Sequence, residues 1–299
     1  MVHVFGSLNI DRVYSVDRIF RAGETVAARR LDFYAGGKGA NQAMACAAAG
    51  APVRLIGKVG RDGEWMLERL RAAGVDTAGV RVADAPSGHA VILLDAAGQN
   101  AIAVYGGTNQ AVEAAEIDEA LERVAAGDFV LTQNESSNVA RVISGANAKG
   151  AIVCLNPSPM DAAILKLPLD RVGLFVVNEA EGAALVGETD PDAILDAFAR
   201  RFPDAAVALT LGAAGAALAH GGVRSKVDGL KVDVVDTTGA GDAFVGFLLA
   251  ARVLGRTWAE ALDAANRAAA YAVTQQGADK KLPPLDAPAY RSRPGRGAS

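Results

Sequence analysis

The sequence predicts an α/β chain built on a mostly parallel sheet, with a smaller strand-rich insert beside it. Three observations carry that expectation. Short apolar, β-branched runs alternate with helical segments along most of the 299 residues. Glycines close several of those helices, at Gly50, Gly74 and Gly150. Two segments, 12–34 and 87–105, break the rhythm with strand patterns and no helical period.

Val2 to Phe5 reads as a buried strand, and 12–34 as the first part of the insert. Residues 41–49 form a small-residue helix stopped by Gly50, and 64–73 an amphipathic helix stopped by Gly74. Residues 87–95 and 100–105 read as a hairpin around Ala96-Ala97-Gly98, the second part of the insert. The two parts can pair as a lid over a cleft or form an ordinary antiparallel edge. Helix 114–126, strand 128–132 and helix 137–149 follow, then strands 151–155 and 174–177, helix 192–202 and strand 207–211. Residues 243–254 are apolar on almost every face, as in a helix inside a domain. The expected organisation is one domain over 1–287 with a discontinuous lid from 12–34 and 87–105. Residues 288–299, rich in Arg, Gly and Ser, read as a disordered tail.

An apolar fraction of 51% with 21% charged residues describes a soluble globular chain with ample core. The net charge of −4 offers no electrostatic grip on nucleic acid or anionic membranes. No apolar run approaches about 18 residues, and no basic region precedes an apolar stretch at the N-terminus, so neither a membrane span nor a signal peptide is expected. Cys46 and Cys154, far apart in sequence, fit reduced, buried residues of a cytoplasmic protein. His3, His89 and His220 show no zinc-ligand spacing and no nucleophilic triad.

The most informative stretch is Asp236-Thr237-Thr238-Gly239-Ala240-Gly241-Asp242-Ala243-Phe244, which opens the apolar helix. A helix N-terminus offers free N–H groups and the positive end of a dipole, which suit a phosphate. Gly239 and Gly241 let the backbone approach an anion, and Asp242 adds a proton acceptor beside it. Asp242 can equally be a helix cap. Gly36-Gly37-Lys38-Gly39-Ala40-Asn41-Gln42-Ala43 is a second glycine-rich loop entering a helix, with a mobile cation at Lys38 and an amide at Asn41. Gly6-Ser7-Leu8-Asn9-Ile10-Asp11 leaves the first strand at its carboxyl end, where open α/β sheets bind ligands. A carboxylate such as Asp11 can accept from two neighbouring hydroxyls of a sugar. Glu135 follows another strand end. Asn178 and Glu181, three apart, share a helix face and suit the water shell of Mg²⁺ or a simple cap. Thr210-Leu211-Gly212 ends a further strand, fit for nucleotide phosphates or a tight turn.

Taken in this order, from Val2 to about Pro284, these segments resemble the ribokinase-like, or PfkB, family of carbohydrate kinases. The glycine-rich loops at 36–43 and 236–244 are the specific signatures; 6–11 and 178–181 support them. The segments at 6–11 and 36–43, with Pro86-Ser87-Gly88-His89, look most like the ribokinase branch. The resemblance implies a three-layer α/β/α sandwich with a mostly parallel central sheet and a small β-sheet lid, paired as a homodimer through the lid. It implies ATP as donor, Mg²⁺, and the primary hydroxyl of a small sugar as acceptor, D-ribose first. Fructose, a ketodeoxy sugar acid or a nucleoside are alternatives, as is a sugar-binding regulator without catalysis. It assigns Asp242 as base, the N–H groups of Gly239, Ala240 and Gly241 as anion hole, and Asn9, Asp11, Gly37, Lys38, Asn41 and Glu135 to the sugar. Asn178, Thr210, Gly212 and Asn266 fall at nucleotide positions, and Glu181 at Mg²⁺ through water.

The resemblance also implies K⁺ beside the anion hole, held around Asp236, Thr238, Val273 and Gly277. Here the chain departs from the pattern. In Asp279-Lys280-Lys281-Leu282-Pro283, Lys281 stands where a small hydroxyl residue is expected. Its ammonium is therefore expected to fill the cation site and weaken any K⁺ dependence, the other reading being that both lysines face solvent.

Overall fold

A computed structural model describes residues 1–277 and 280–287. In chain order, β1 (Val2–Phe5), β2 (Asn9–Ser15) and β3 (Arg30–Gly36) lead to α1 (Lys38–Ala48), β4 (Val53–Gly60), α2 (Glu64–Ala72) and β5 (Asp76–Ala83). Next come β6 (Gly88–Leu94), β7 (Asn100–Tyr105), α3 (Ala114–Leu121), β8 (Phe129–Thr132), α4 (Val139–Ala148) and β9 (Ile152–Leu155). The last part holds β10 (Leu174–Asn178), α5 (Glu179–Val186), α6 (Pro191–Arg201), β11 (Ala206–Thr210), β12 (Gly215–His220), β13 (Val223–Asp228), α7 (Ala240–Val253) and α8 (Trp258–Ala272).

Nine strands form the main sheet in the order β13-β12-β11-β10-β9-β8-β1-β4-β5. Pairing is parallel from β11 through to β5, and antiparallel only where β12 and β13 close one edge. The central strands are buried on both faces, which is why they read as continuous apolar runs. Alternate residues feed two cores. Val4, Leu131 and Val176 pack under α1, α2, α7 and α8, whereas Phe5, Val130 and Val177 pack under α3, α4, α5 and α6. The result is a helix–sheet–helix sandwich.

The small sheet has the order β3-β2-β6-β7. Its strands extend beyond the expected 12–34: β2 begins at Asn9 and β3 ends at Gly36, so Asp11 lies on a strand of this sheet. Residues 16–29 between them are an irregular connection. β2 pairs in parallel with β6, while the outer pairs are antiparallel.

Most helices and core strands fall within a few residues of expectation. Helix α3 stops at Leu121, short of 126, because turns occupy the residues up to Gly127. Strands β4, β5 and β13 carry no clear apolar run, and β12 (Gly215–His220) is an alanine-rich one without β-branched residues. In β4, Lys58 is 7% exposed yet held by Glu116 Oε2 and the Ala111 carbonyl, both at 2.8 Å. Such a partner, far along the chain, leaves no mark in the local sequence. Residues 288–299, expected to be a disordered tail, lie outside the described residues, as do 278 and 279.

Helix α7 is buried from Asp242 to Ala251. It lies against α1 because Gly246 carries no side chain. A Cβ there would sit 2.4 Å from Ala45 Cβ and 2.9 Å from the Gln42 carbonyl oxygen. Cys46 Sγ donates to the Gly246 carbonyl at 3.3 Å across the same contact. This close crossing sets the two glycine-rich helix starts side by side.

Candidate active site

Helix α1 begins after Gly37, at φ 91°, a left-handed conformation open to glycine. Its first turn presses on the loop after β1. Ala40 N–H donates to the Ser7 carbonyl at 3.0 Å, and a Cβ on Gly39 would meet the Gly6 carbonyl carbon at 2.5 Å. Helix α7 begins after Gly239, at φ 73°. The N–H of Ala240 is used in the turn, donating to the Thr237 carbonyl at 3.2 Å. The anion hole expected from three N–H groups thus keeps two, Gly239 and Gly241, without a partner among the described residues. A cleft of about 170 Å³ opens over them, lined by Lys38, Asn178, Glu181, Thr210, Gly239, Gly241 and Asp242.

Asp242 forms the floor of this cleft and is 9% exposed. Its Oδ1 accepts from Gln42 Nε2 at 2.9 Å and its Oδ2 from Asn41 Nδ2 at 3.1 Å. Gln42 is itself held: its Oε1 accepts from Gln133 Nε2 at 2.7 Å, and its Nε2 also donates to Asn156 Oδ1 at 3.0 Å. Burial pushes the Asp242 carboxyl above its usual range, opposed by the Lys38 ammonium and the two amides and reinforced by Glu135. A buried carboxylate with a raised pKa, fixed by two donors beside free N–H groups, suits proton acceptance next to an anion. Asp242 is not the cap of α7: Gly239 is the N-cap, and the Asp242 oxygens are taken by side-chain amides.

Asp11 faces the same region from the small sheet. Gly36 leaves room for it, since a Cβ there would lie 2.2 Å from Asp11 Oδ2. No donor among the described residues bonds its carboxylate. Burial, then the nearby Glu135 and Asp242 charges, raise its pKa from 3.8 to about 6. Asn9 is 7% exposed and its Oδ1 accepts from Asn109 Nδ2 at 2.8 Å. Glu135 Oε2 accepts from the Lys38 N–H at 3.1 Å and from the Ser7 hydroxyl, so that oxygen anchors the start of α1.

At the far end of the cleft, Asn178 and Glu181 form a capping box on α5. Asn178 Oδ1 accepts from Glu181 N–H at 2.8 Å, and Glu181 Oε2 from Asn178 N–H at 3.1 Å. Both residues also line the cleft, so the capping box leaves them open to whatever occupies it. Thr210 lines it too. Gly212, at φ 55°, turns the chain after β11 outside the lining. Asn266 is not brought to the cleft: its Nδ2 donates to the Asp228 carbonyl at 2.9 Å and braces the end of β13 against α8.

The expectation for Lys281 is corrected. Lys281 is exposed, and its backbone N–H donates to Gln275 Oε1 at 3.1 Å. The neighbouring Lys280 turns inward instead, donating from Nζ to the carbonyls of Asp236 and Ala272, both at 2.7 Å. Two of the other expected cation ligands, Val273 and Asp236, already accept hydrogen bonds. The Val273 carbonyl accepts the N–H of Val235 and Asp236, at 2.8 and 3.1 Å. The Asp236 carboxylate accepts the N–H groups of Thr238 and Gly277, each at 2.8 Å.

Gln42, Gln133, Asn156 and Ser7 are site residues that the sequence reading did not single out. Gln42 stands within the glycine-rich 36–43 segment, and Ser7 within 6–11, so both motifs carried a signal. Gln133 and Asn156 follow strands β8 and β9 at their carboxyl ends, the same position that drew attention to Glu135.

Comparison with known proteins agrees with this geometry. Residues 1–284 match the family model described as pfkB family carbohydrate kinase. The chain is 33% identical to a ribokinase of Staphylococcus aureus over 297 residues, covering 95% of this chain and 97% of that one. It is 30% identical to a deoxyribokinase of Salmonella typhi over 297 residues, covering 95% and 96%. A solved structure of Arabidopsis thaliana ribokinase complexed with ribose and ATP superposes with a TM-score of 0.82 at 32% identity, covering 95% of this chain and 96% of that one. The sandwich with its small sheet is the ribokinase-like fold, and the chain belongs to the pfkB family of carbohydrate kinases, enzymes that use ATP to phosphorylate a sugar.

Proposed function

We propose that this kinase transfers the γ-phosphoryl group of ATP to the primary hydroxyl of D-ribose, giving ribose 5-phosphate. The observation that carries the reading is Asp242, fixed by Asn41 and Gln42 beside the unpaired N–H groups of Gly239 and Gly241. Phosphoryl transfer has a loose transition state, so positioning and charge stabilisation matter more than a strong base. Asp242 orients the sugar hydroxyl and accepts its proton as the new P–O bond forms. The N–H groups of Gly239 and Gly241, with Lys38, stabilise charge on the transferring oxygens. The chemistry of the Glu181 side chain fits Mg²⁺ held through water. It is 8% exposed, it lines the cleft, and its Oε1 has no partner among the described residues. With Asn178 beside it, Glu181 would hold the ion, which when bound supplies charge neutralisation for the phosphates. The small sheet, as a lid, would exclude water from the acceptor position.

Asp11 supports ribose in particular. An unpaired, half-buried carboxylate on a strand suits two neighbouring hydroxyls of a sugar ring. A site that leaves this acceptor unpaired with a deoxy sugar discriminates against it. The test is ADP release over a panel of pentoses, 2-deoxyribose, hexoses, sugar acids and nucleosides. D-ribose is expected to give the highest kcat/KM, about tenfold or more above 2-deoxyribose. A tenfold preference for another acceptor would remove the ribose assignment.

Pairing with a second copy through the small sheet belongs to the same reading. Both faces of that sheet carry exposed apolar side chains. Register puts Leu31 and Phe33 on one face, with Phe33 54% exposed, and Ile102 and Val104 on the other, with Val104 66% exposed. Light scattering is expected to show a dimer that Phe33→Asp weakens; a monomeric native protein would contradict the pairing.

A further inference from the structure

Lys280 does what a bound monovalent cation would do. Its ammonium bonds two backbone carbonyl oxygens, of Asp236 and Ala272, both at 2.7 Å. Asp236 lies three residues before Gly239, the N-cap of α7 whose N–H belongs to the anion hole. Ala272 is the last residue of α8, so the ammonium also sits at the negative end of that helix. The two anchors join the loop before α7 to the end of α8. Lys280 further lines a narrow cavity of about 30 Å³ together with Asn41, Gly239 and Asp242. It therefore stands directly behind the residues that position the proton acceptor.

The surroundings leave little for a second cation. The Asp236 carboxylate is satisfied by two backbone N–H groups, and the Val273 carbonyl by two more. The Asp236 carboxyl stays below its usual range despite burial, because Thr238, Gly277 and the Lys280 charge favour the anion. An alkali ion bound here would have to displace an ammonium that is already held by two carbonyls and faces a carboxylate. The K⁺ site implied by the family resemblance does not fit the donors of this chain.

We propose that Lys280 is a tethered monovalent cation, a positioning residue that holds the Asp236–Gly239 loop in register for anion binding and makes the enzyme independent of K⁺. The inference rests on the kinase reading of the same site. It differs from a purely structural lysine in one respect: its loss can be repaired by a free ion of the right size. Lys280→Ser removes the ammonium and opens its place, whereas Lys280→Met removes the charge and keeps the bulk.

The native enzyme is assayed in Tris buffer free of K⁺, with KCl, NaCl or LiCl added to equal ionic strength. The expected result for the native chain is less than about a twofold change in kcat with K⁺. Lys280→Ser without K⁺ is expected to lose kcat on the order of 10²-fold, with the sugar KM changed far less. K⁺ is expected to restore most of that loss in Lys280→Ser, Li⁺ to restore little, and neither ion to rescue Lys280→Met. Lys281→Ser is expected to behave as the native chain. Thermal melting gives a readout independent of turnover: KCl raises the melting temperature of Lys280→Ser above its value in NaCl, and leaves that of the native chain unchanged. Strong K⁺ activation of the native enzyme, or a Lys280→Ser variant that is fully active or fails to respond to K⁺, would overturn the proposal. Should no sugar support turnover, the kinase reading fails, and the melting comparison still decides the role of Lys280.

Discussion

Asp242→Asn is expected to lower kcat on the order of 10²–10⁴-fold while leaving the protein folded and more heat-stable. The loss follows from removing the proton acceptor beside the anion hole. The gain follows from the raised pKa of Asp242, since burial of its charge costs folding free energy that a neutral amide does not. The substitution also meets a donor problem, because Asn41 Nδ2 and Gln42 Nε2 both point at the carboxylate. Gln42 cannot turn without breaking its bonds to Gln133 and Asn156. Asn41 can, because its buried Oδ1 has no partner and would accept from the new amide. Turnover and melting, measured on the same preparation, check both halves. A variant with near-native kcat would leave Asp242 with a structural role only.

Asp11→Asn is expected to raise the sugar KM on the order of 10–100-fold, with a smaller effect on kcat. Hydrogen bonds to a charged acceptor contribute about 1.5–3 kcal/mol each, and the ground state would lose them as much as the transition state. The apo protein is expected to gain stability. A pKa raised from 3.8 to about 6 corresponds to about 3 kcal/mol as an upper bound. The sign fixes the pH window. The native state holds this proton more tightly than the unfolded chain, so the contribution of Asp11 is full below pH about 4 and lost as pH rises to about 6. The stability difference between Asp11→Asn and the native protein should therefore grow from pH 4 to 6 and stay level above. Native sugar binding should weaken as pH falls below about 6, when the carboxylate gains its proton, and the variant should lack that inflection. A pH-independent difference in stability would mean that Asp11 carries no strained charge.

Much of the site was legible because its parts are backbone features that only certain residues allow. Gly37 and Gly39 mark a helix start pressed against the loop after β1, and Gly239 and Gly241 a helix start that lines the cleft, and such glycine pairs stand out in any sequence. Asp11 and Asp242 were legible because each lies beside one of these features. The amide chain from Gln133 through Gln42 to Asp242 was not, since it joins three strands or helices whose proximity exists only in the fold. Glu135 shows the limit from the other side. It was expected at the sugar, yet one of its oxygens anchors α1, because a strand end close to a ligand is also close to the helix that binds it. Lys280 and Lys281 could not be told apart, because counting back from Pro283 says nothing about which side chain turns inward. The strands β4, β5 and β13 were hidden where glycines and charges interrupt apolar runs, with Lys58 paired to a partner far along the chain, and β12 because its alanines carry little strand signal.

The proposed reaction at this cleft moves a phosphoryl group from ATP to the primary hydroxyl of ribose. It is tested most directly by incubating the native enzyme with ATP, Mg²⁺ and D-ribose and examining the product by phosphorus NMR alongside ADP release. The account predicts one ADP per sugar consumed and a phosphate monoester coupled to the two C5 protons. ADP release that does not depend on sugar, or a phosphate attached at any other carbon, would contradict it.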